Sequence, residues 1–169
     1  MTADDDAVLA RLLVGHLADL LTWLDDYPAD QVDRSAVASI RESITWVINQ
    51  APAEQRAGLA SGNPDGTALR TAAGLLVDVM WWLETRPDDE VDEWAAGKIQ
   101  ESTAASVAAL SDRQRRRLLE ILADLAAAER HDVRRYELRF FPFACGLLDT
   151  EPDERAPLVR GWVKPEDRR

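Results

Sequence analysis

Two acidic segments, DDYPADQVD at 25–33 and ETRPDDEVDE at 84–93, contain the residues best suited to chemistry. Carboxylates at this density coordinate a divalent cation or bind the cationic side chains of a basic partner. The spacing does not fit an EF-hand loop, which needs glycine at its sixth position and glutamate at its twelfth. The alternative is structural, since acids at a helix start offset the positive end of its dipole. The carboxylates that we predict to contact a partner are Asp25, Asp26, Asp30, Asp88, Asp89, Glu90, Asp92 and Glu93.

Two tryptophans add an aromatic component to this candidate surface. On a helical wheel Trp81 points away from the apolar stripe of its helix and shares a face with Asp78. Trp94 likewise lies opposite the stripe of the next helix. A large aromatic side chain on a polar face indicates a contact with another element or another chain. We therefore add Trp81, Asp78 and Trp94 to the predicted partner-binding residues, with cover by the helices after residue 111 as the alternative.

No pattern in the sequence specifies catalysis. His16 aligns with a leucine of the repeat described below, and His131 is expected to be a cation at a helix end, so we interpret both as structural. Glu129 and Asp132 invite comparison with the helical nucleotide pyrophosphohydrolases, but the helix that precedes them, at about 111–128, has no ExxE motif. The sequence contains no glycine-rich phosphate loop, G-x-S-x-G or H-E-x-x-H motif. We therefore predict a protein that is not an enzyme, with no catalytic residues, no cofactor and no metal.

An internal repeat positions these residues. Residues 15–59 align without a gap on residues 74–118, a shift of 59 positions. Such self-similarity indicates two copies of one structural unit. Apolar residues recur at i, i+3, i+4 and i+7, and no stretch alternates with the period of a strand, so each copy reads as a helical hairpin. We expect Pro28 and Pro87 to be the first residues of the second helix in each copy.

The predicted fold is all-α: a helical bundle of two tandem helical-hairpin repeats plus C-terminal helices. A third helix begins after Pro52 and ends early in repeat one, whereas its counterpart in repeat two begins at a capping box, Ser111-x-x-Gln114. We predict a single domain over residues 1–150, followed by a Pro- and charge-rich tail over 151–169 that is extended and docked by Leu158 and Trp162. Within the domain we place repeat one at about 5–60, a linker at about 57–66, repeat two at about 66–130 and a closing helix at about 131–148.

The net charge of −11 is distributed unevenly. Residues 1–110 hold 19 acidic and 7 basic residues, whereas residues 111–169 hold 12 and 13. This distribution favours a basic protein partner and disfavours nucleic acid and anionic membranes. We expect the arginines after residue 111 to pair with the acidic half of the chain itself.

Composition also indicates the cellular compartment and the type of organism. Cys145 is the single cysteine, the N-terminus is acidic, and no apolar run approaches the ~18–20 residues of a membrane span. We therefore expect a soluble protein of the reducing cytoplasm. The 2 lysines among 20 basic residues, beside abundant Ala, Arg and Asp, are typical of a high-GC bacterium.

These features favour a binding function. The first hypothesis is an acidic protein-binding module, most concretely an immunity or antitoxin-like protein that neutralises a cationic partner by electrostatic complementarity. It is similar to several nuclease inhibitors in being small, acidic and compact. The alternatives are a homodimeric structural or regulatory helical protein, associating through the face of Trp81 and Trp94, and a carboxylate-metal enzyme.

Overall fold

The computed structural model describes residues 3–153 and 155–168, and within these residues it forms an all-α bundle without a strand. This confirms the predicted fold class. Two short 3₁₀ turns, Gly66–Ala68 and Pro165–Asp167, accompany the helices. The helices are α1 (Ala3–Asp26), α2 (Arg34–Gln50), α3 (Ala53–Ser61), α4 (Leu69–Thr85), α5 (Glu93–Ala108), α6 (Asp112–Ala128) and α7 (Asp132–Ala144).

α4 is the central helix of the bundle. Twelve of its 17 residues are buried, because apolar side chains occur on nearly every side of it and α1, α2, α6 and α7 all contact it. α1 contributes an amphipathic face to the same core. The buried leucines of that face are Leu9, Leu13, Leu17, Leu20 and Leu24. Each such leucine stabilises the fold by roughly 1.5–3 kcal/mol relative to exposure.

α1 is also long and apolar enough, by length and composition alone, to span a membrane, with a mean hydropathy of 1.5 in its most apolar stretch. This value is an average, and the sequence still contains no continuous apolar run of that length. Arg11 and Asp19 interrupt the apolar run in the sequence, but the average over the helix remains high. A core helix has the same composition, and the leucine stripe of α1 does pack inside the bundle.

The helix bounds follow the shift of the sequence alignment. α1 and α4 end at residues 26 and 85, α2 and α5 begin at 34 and 93, and α3 and α6 begin at 53 and 112. Each of these pairs is 59 positions apart. The third helices differ in length, because Gly62 ends α3 in a left-handed conformation (φ 69°) whereas α6 continues to Ala128. The capping box at Ser111 is present as predicted.

The two prolines lie outside the helices, which corrects their predicted position. Pro28 and Pro87 open tight turns, in which each proline carbonyl accepts hydrogen bonds from backbone N–H groups three and four residues later. The next helices begin only after Asp33 and Asp92, whose side chains cap them. Asp30, Asp88, Asp89 and Glu90 are therefore turn residues and lie before the first turn of the helix.

The C-terminal part of the chain packs closely on the bundle. α7 ends at Ala144, earlier than predicted, because Gly146 follows in a left-handed conformation (φ 71°). Beyond it the chain returns across α4 and α7, and Trp162 packs against the core as expected. Leu158 is 94% exposed, so the prediction that it docks the tail is wrong.

His131 caps the N-terminus of α7, so it does not lie at the C-terminal helix end at which a cation is favoured. Its Nδ1 accepts a hydrogen bond from the backbone N–H of Arg134 at 3.3 Å. The positive end of the helix dipole also disfavours a cation at this position.

Candidate functional site: the paired acidic turns

The turn before α2 and the turn before α5 lie side by side. The backbone N–H of Asp33 donates to the carbonyl of Glu90, and the N–H of Asp92 donates to the carbonyl of Gln31, both at 2.7 Å. Between them Val32 and Val91 form an antiparallel bridge, and both side chains are buried. Positions 31–33 and 90–92 are equivalent in the alignment of the two repeats. The acidic segments that are 59 residues apart in sequence therefore form one continuous surface, which we call the paired acidic turns (residues 25–33 and 86–93).

The acids of this surface point into solvent. All are exposed except Glu90 and Asp92, which are half-buried. Among the described residues only Asp25 of this set forms an ion pair, with Arg41. The carboxylates of the surface that form no ion pair there are Asp26, Asp30, Asp33, Asp88, Asp89, Glu90, Asp92 and Glu93. The surface thus presents a dense negative charge, and among the described residues an ion pair neutralises only the carboxylate of Asp25.

An exposed aromatic side chain borders this surface. Trp94 lies in the first turn of α5 and is 58% exposed, as the helical wheel predicts. Its ring meets Tyr27 of the other turn edge to face, with centroids 6.0 Å apart and planes at 87°. This contact joins the two turns on the outside, as the valine bridge joins them on the inside. Tyr27 was not among the residues predicted from the sequence.

Two arginines near the turns are committed to internal contacts. Arg34 donates to the carbonyls of Leu24 and Tyr27 at 2.8 and 2.7 Å, which satisfies the end of α1. Arg86 donates through Nε to the carbonyl of Val91 at 3.1 Å. Burial lowers the pKa of Arg86, while the surrounding carboxylates of Asp88, Asp92, Glu93 and Glu90 act in the opposite direction. These arginines stabilise the turns by donating to backbone carbonyls, so the exposed carboxylates of the turns remain available to a partner.

Two acids of the surface have a structural role as helix caps. Asp33 accepts from the N–H of Ser35 at 2.8 Å, and Asp92 accepts from the N–H of Trp94 at 2.8 Å. Hydrogen bonds from the hydroxyl and N–H of Ser35 lower the pKa of Asp33. The structural explanation of the acids, as helix-start residues, therefore holds for Asp33, Asp92 and the first-turn residue Glu93. It does not account for the turn acids.

Trp81 and Asp78 do not belong to this surface, which corrects their predicted role. They are 1% and 2% exposed, because the C-terminal segment covers their face of α4. The Trp81 indole N–H donates to the carbonyl of Arg160 at 2.5 Å. The Asp78 carboxylate accepts from Arg134 at 2.9 Å and from Arg168 at 3.1 Å. The helical wheel placed both residues off the apolar stripe correctly, and the alternative of intramolecular cover is the one observed.

A cavity of 410 Å³ between α1 and α5 holds the second polar group that the structure assembles. His16 Nε2 lies 2.9 Å from the hydroxyl of Thr103, and its Nδ1 lies 3.3 Å from the hydroxyl of Ser106. Thr103 donates its proton to the carbonyl of Ile99, so it accepts from Nε2–H and Ser106 donates to Nδ1. Burial lowers the pKa of His16, partly offset by Asp19, which favours the neutral imidazole. No sequence motif indicates this arrangement, since its residues are 87 and 90 positions apart.

The helix that carries Ser106 supplies no free backbone donor for an oxyanion beside the Ser106–His16 pair. Ser106 lies inside α5, where backbone N–H groups bond to carbonyls of the preceding turn. Elsewhere, Glu129 and Asp132 form ion pairs with Arg134 and Arg135. Among the residues that the structure describes, no group of three or more His, Cys, Asp or Glu is placed to hold a metal ion.

No protein-family model, curated protein or solved structure matches this chain.

Proposed function

We propose that this protein is a non-catalytic binding module that recognises a basic protein partner through the paired acidic turns. The backbone pairing of residues 31–33 with 90–92 carries this proposal, because it joins two exposed acidic segments into one surface around Trp94. Uncompensated carboxylates steer a cationic partner during association. An exposed tryptophan beside such a surface supplies the apolar anchor on which affinity depends.

The most specific form of this proposal is an immunity or antitoxin-like protein. An acidic surface of this kind would cover the basic, substrate-binding face of a cationic toxin and exclude its substrate. This form predicts that a neighbouring reading frame encodes a basic toxin, and that co-expression with the present protein restores growth. A neighbouring toxin that the protein fails to neutralise would contradict the specific form.

The test of the binding surface uses two charge reversals that change the net charge equally. Asp89→Lys alters the paired acidic turns, whereas Glu54→Lys alters an exposed acid of α3, beyond the opposite end of α2. The probe is fluorescein-labelled deca-lysine, titrated by anisotropy at low salt. We expect Asp89→Lys to weaken binding by roughly fivefold, and Glu54→Lys by less than about twofold, because short-range contacts exceed the effect of net charge.

Trp94→Ala provides the second arm of this experiment. Loss of the aromatic contact is expected to weaken deca-lysine binding by roughly threefold, because a cation over an indole ring contributes about 0.5–1 kcal/mol at an exposed site. Equal weakening by Asp89→Lys and Glu54→Lys would show that binding follows net charge alone, and the proposed surface would then be wrong.

The other hypotheses from the sequence receive less support. Homodimerisation through the face of Trp81 and Trp94 relied on both tryptophans, and Trp81 lies inside the protein. A carboxylate-metal enzyme was the third hypothesis, built on the acidic turns or on Glu129 and Asp132. Among the described residues no three His, Cys, Asp or Glu are placed to hold a metal ion, and Glu129 and Asp132 already form ion pairs with arginines.

A further inference from the structure

Residues 160–168, here called the C-terminal segment, lie on a groove formed by α4 and α7. The segment contains no α-helix, and its two arginines, Arg160 and Arg168, form its ion pairs with the groove. The 3₁₀ turn Pro165–Asp167 also contacts α2, and Trp162 packs against the core. Backbone contacts reinforce this attachment: the carbonyl of Arg160 accepts from Trp81, and the N–H of Trp162 donates to the Thr85 hydroxyl at 3.1 Å. We call the underlying face the arginine groove; its residues are Asp78, Trp81, Glu84, Tyr136, Glu137 and Phe140.

The first site of the groove surrounds the guanidinium of Arg160. Glu137, which is buried, accepts from Nε and Nη2 at 2.8 and 3.0 Å in a bidentate arrangement, and Glu84 lies 3.2 Å away. The guanidinium carbon lies 5.2 Å from the centroid of Tyr136 and 4.8 Å from that of Phe140. A planar cation that bonds a carboxylate through two N–H groups and packs on aromatic rings is specific to arginine.

The second site surrounds Arg168 in a similar way. Its Nη1 donates to Asp78 at 3.1 Å, and its guanidinium carbon lies 5.3 Å from the centroid of the Trp81 ring. The groove thus provides two buried carboxylates, each beside an aromatic face. Because the side chains of Arg160 and Arg168 occupy these two sites, we infer that the groove recognises guanidinium groups.

The C-terminal segment fits this groove imperfectly. The indole N–H of Trp162 and Nη2 of Arg168 are buried without a hydrogen-bond partner. Each such donor loses its hydration without replacement, at a cost of roughly 1–3 kcal/mol. Burial also lowers the pKa of Arg168, to which the nearby charge of Arg134 contributes, so the charged form of Arg168 is disfavoured there.

The chain leading into the segment is weakly attached. Leu158 and Val159 are 94% and 76% exposed, and the described stretches 146–153 and 155–164 contain no helix. The two unsatisfied donors of the C-terminal segment, and the exposed apolar residues just before it, make its binding to the groove less favourable. A peptide with the same arginines and better-satisfied donors would bind with a free-energy advantage.

We propose that the arginine groove is a recognition site for an extended, arginine-containing peptide of a partner protein, and that the C-terminal segment occupies it until such a peptide displaces it. This goes beyond the role of the paired acidic turns, because it uses different residues and requires guanidinium groups as well as positive charge. The occupant is a peptide in which an arginine is followed two residues later by an aromatic side chain and after about eight residues by a second arginine, as in the segment itself.

The experiment measures the binding of a labelled peptide of residues 155–168 to the full-length protein by anisotropy. The opened variant, Arg160→Ala/Arg168→Ala, removes the side chains that hold the segment. We expect it to bind the peptide roughly tenfold or more tightly than the unaltered protein, in which the segment competes at an effective concentration near the millimolar range. Adding Glu137→Gln to the opened variant, or replacing both peptide arginines by lysine, is expected to weaken binding by roughly tenfold because the bidentate contact is lost.

Three results would overturn the proposal: equal binding by the opened and unaltered proteins, binding that is unaffected by Glu137→Gln, and equal binding of the lysine peptide. A concentration-dependent dimer of the unaltered protein in light scattering would also overturn it, because the occupant would then be the segment of a second copy. Asp89→Lys in the opened variant should change peptide binding by less than about threefold, since this exposed charge makes no direct contact in the groove. A failure of the proposal for the arginine groove can therefore be distinguished from a failure of the proposal for the paired acidic turns.

A second measurement is decisive if the opened variant does not fold. With excess peptide, backbone N–H groups of residues 158–164 in the unaltered protein should exchange with deuterium faster, because the segment is displaced. Unchanged exchange at millimolar peptide would overturn the proposal without any substitution.

Discussion

The burial of Asp78 shows how the neighbours of a residue decide its role. The sequence presents it as an acid on the polar face of a helix, available to a cationic partner. In the fold two arginines, one from α7 and one from the C-terminal segment, supply that cationic partner internally. Breaking such a buried pair leaves an uncompensated charge and typically costs 3–5 kcal/mol, whereas an exposed pair contributes about 0–1 kcal/mol.

His16 is also defined by its surroundings. It occupies a position at which the second repeat has Leu75, yet it forms hydrogen bonds with Thr103 and Ser106 of α5. Because burial lowers its pKa from the ordinary value of 6.5, the unfolded chain binds a proton in a pH range where the folded protein does not. Protonation therefore favours unfolding, and this contribution to stability is lost as the pH falls through 6.5.

The corresponding substitution is His16→Leu, which places the residue of the second repeat in the first. Between about pH 7.5 and pH 5.5 we expect the unaltered protein to lose more stability than the variant, because only the unaltered protein has the titrating imidazole. Urea midpoints at the two pH values measure this difference. His131 is present in both proteins, so it does not contribute to the difference between them. An identical decrease in both would show that His16 does not titrate differently in the two states.

At the scale of elements, the starts of α2 and α5 combine three roles. Asp33 and Asp92 cap these helices, and the residues before each cap pair with the other turn. The same short segment thus begins a helix, joins the halves of the bundle and presents acids to solvent. A substitution there changes stability and surface charge together unless it is chosen to separate them.

Asp92 allows that separation. Asp92→Asn keeps an oxygen that accepts from the N–H of Trp94, so we expect stability to change by less than about 0.5 kcal/mol, while deca-lysine binding weakens because a charge is lost. Asp92→Ala removes the cap as well and is expected to cost about 1 kcal/mol. Urea denaturation and anisotropy distinguish the two effects. If Asn destabilised as much as Ala, the carboxylate charge rather than the cap would hold the turn.

At the scale of the whole molecule, the arginines of the second half neutralise part of the acidic first half. Arg113 pairs with Asp5 at 2.7 Å, Arg117 with Asp6 at 2.8 Å, and Arg134 with Asp78. This confirms the prediction of internal pairing. These arginines lie on α6 and α7 and pair with acids of α1 and α4. The paired acidic turns receive none of these arginines and keep their charge.

The distribution of burial predicts an order of local stability. α4 is enclosed by other helices, whereas residues 155–164 contain no helix and include the exposed Leu158. In native-state hydrogen exchange, we expect N–H groups in the middle of α4 to exchange only by global unfolding, and those of 155–164 to be among the fastest of the described residues. Mass spectrometry of proteolytic fragments measures both. Comparable protection of α4 and of residues 155–164 would contradict the weak attachment of residues 155–164.

Much of the architecture could be predicted because it depends on local patterns. The period of the leucines in α1, the capping box at Ser111 and the glycines that end α3 all act over a few residues, so the sequence contains the necessary information. The start of α2 was misplaced at Pro28 because proline favours both a helix start and a tight turn. The competing signal is Asp33, a residue type that caps the helix following it, and this signal is equally local. From the sequence, Asp33 is explained only by its compensation of the helix dipole.

The amino-acid sequence by itself determined the all-α class, the repeated pattern, the concentration of acids in two turns and the exposure of Trp94, because these follow from periodicity and composition. Only the tertiary structure decided that the two turns lie together, that Asp78 and Trp81 are covered, and that His16 meets Ser106. Each of these depends on contacts between residues 56 to 90 positions apart, whose geometry is set by how the helices pack. A local pattern shows which face of a helix is polar, but only packing shows whether that face meets water, a partner or the protein's own arginines.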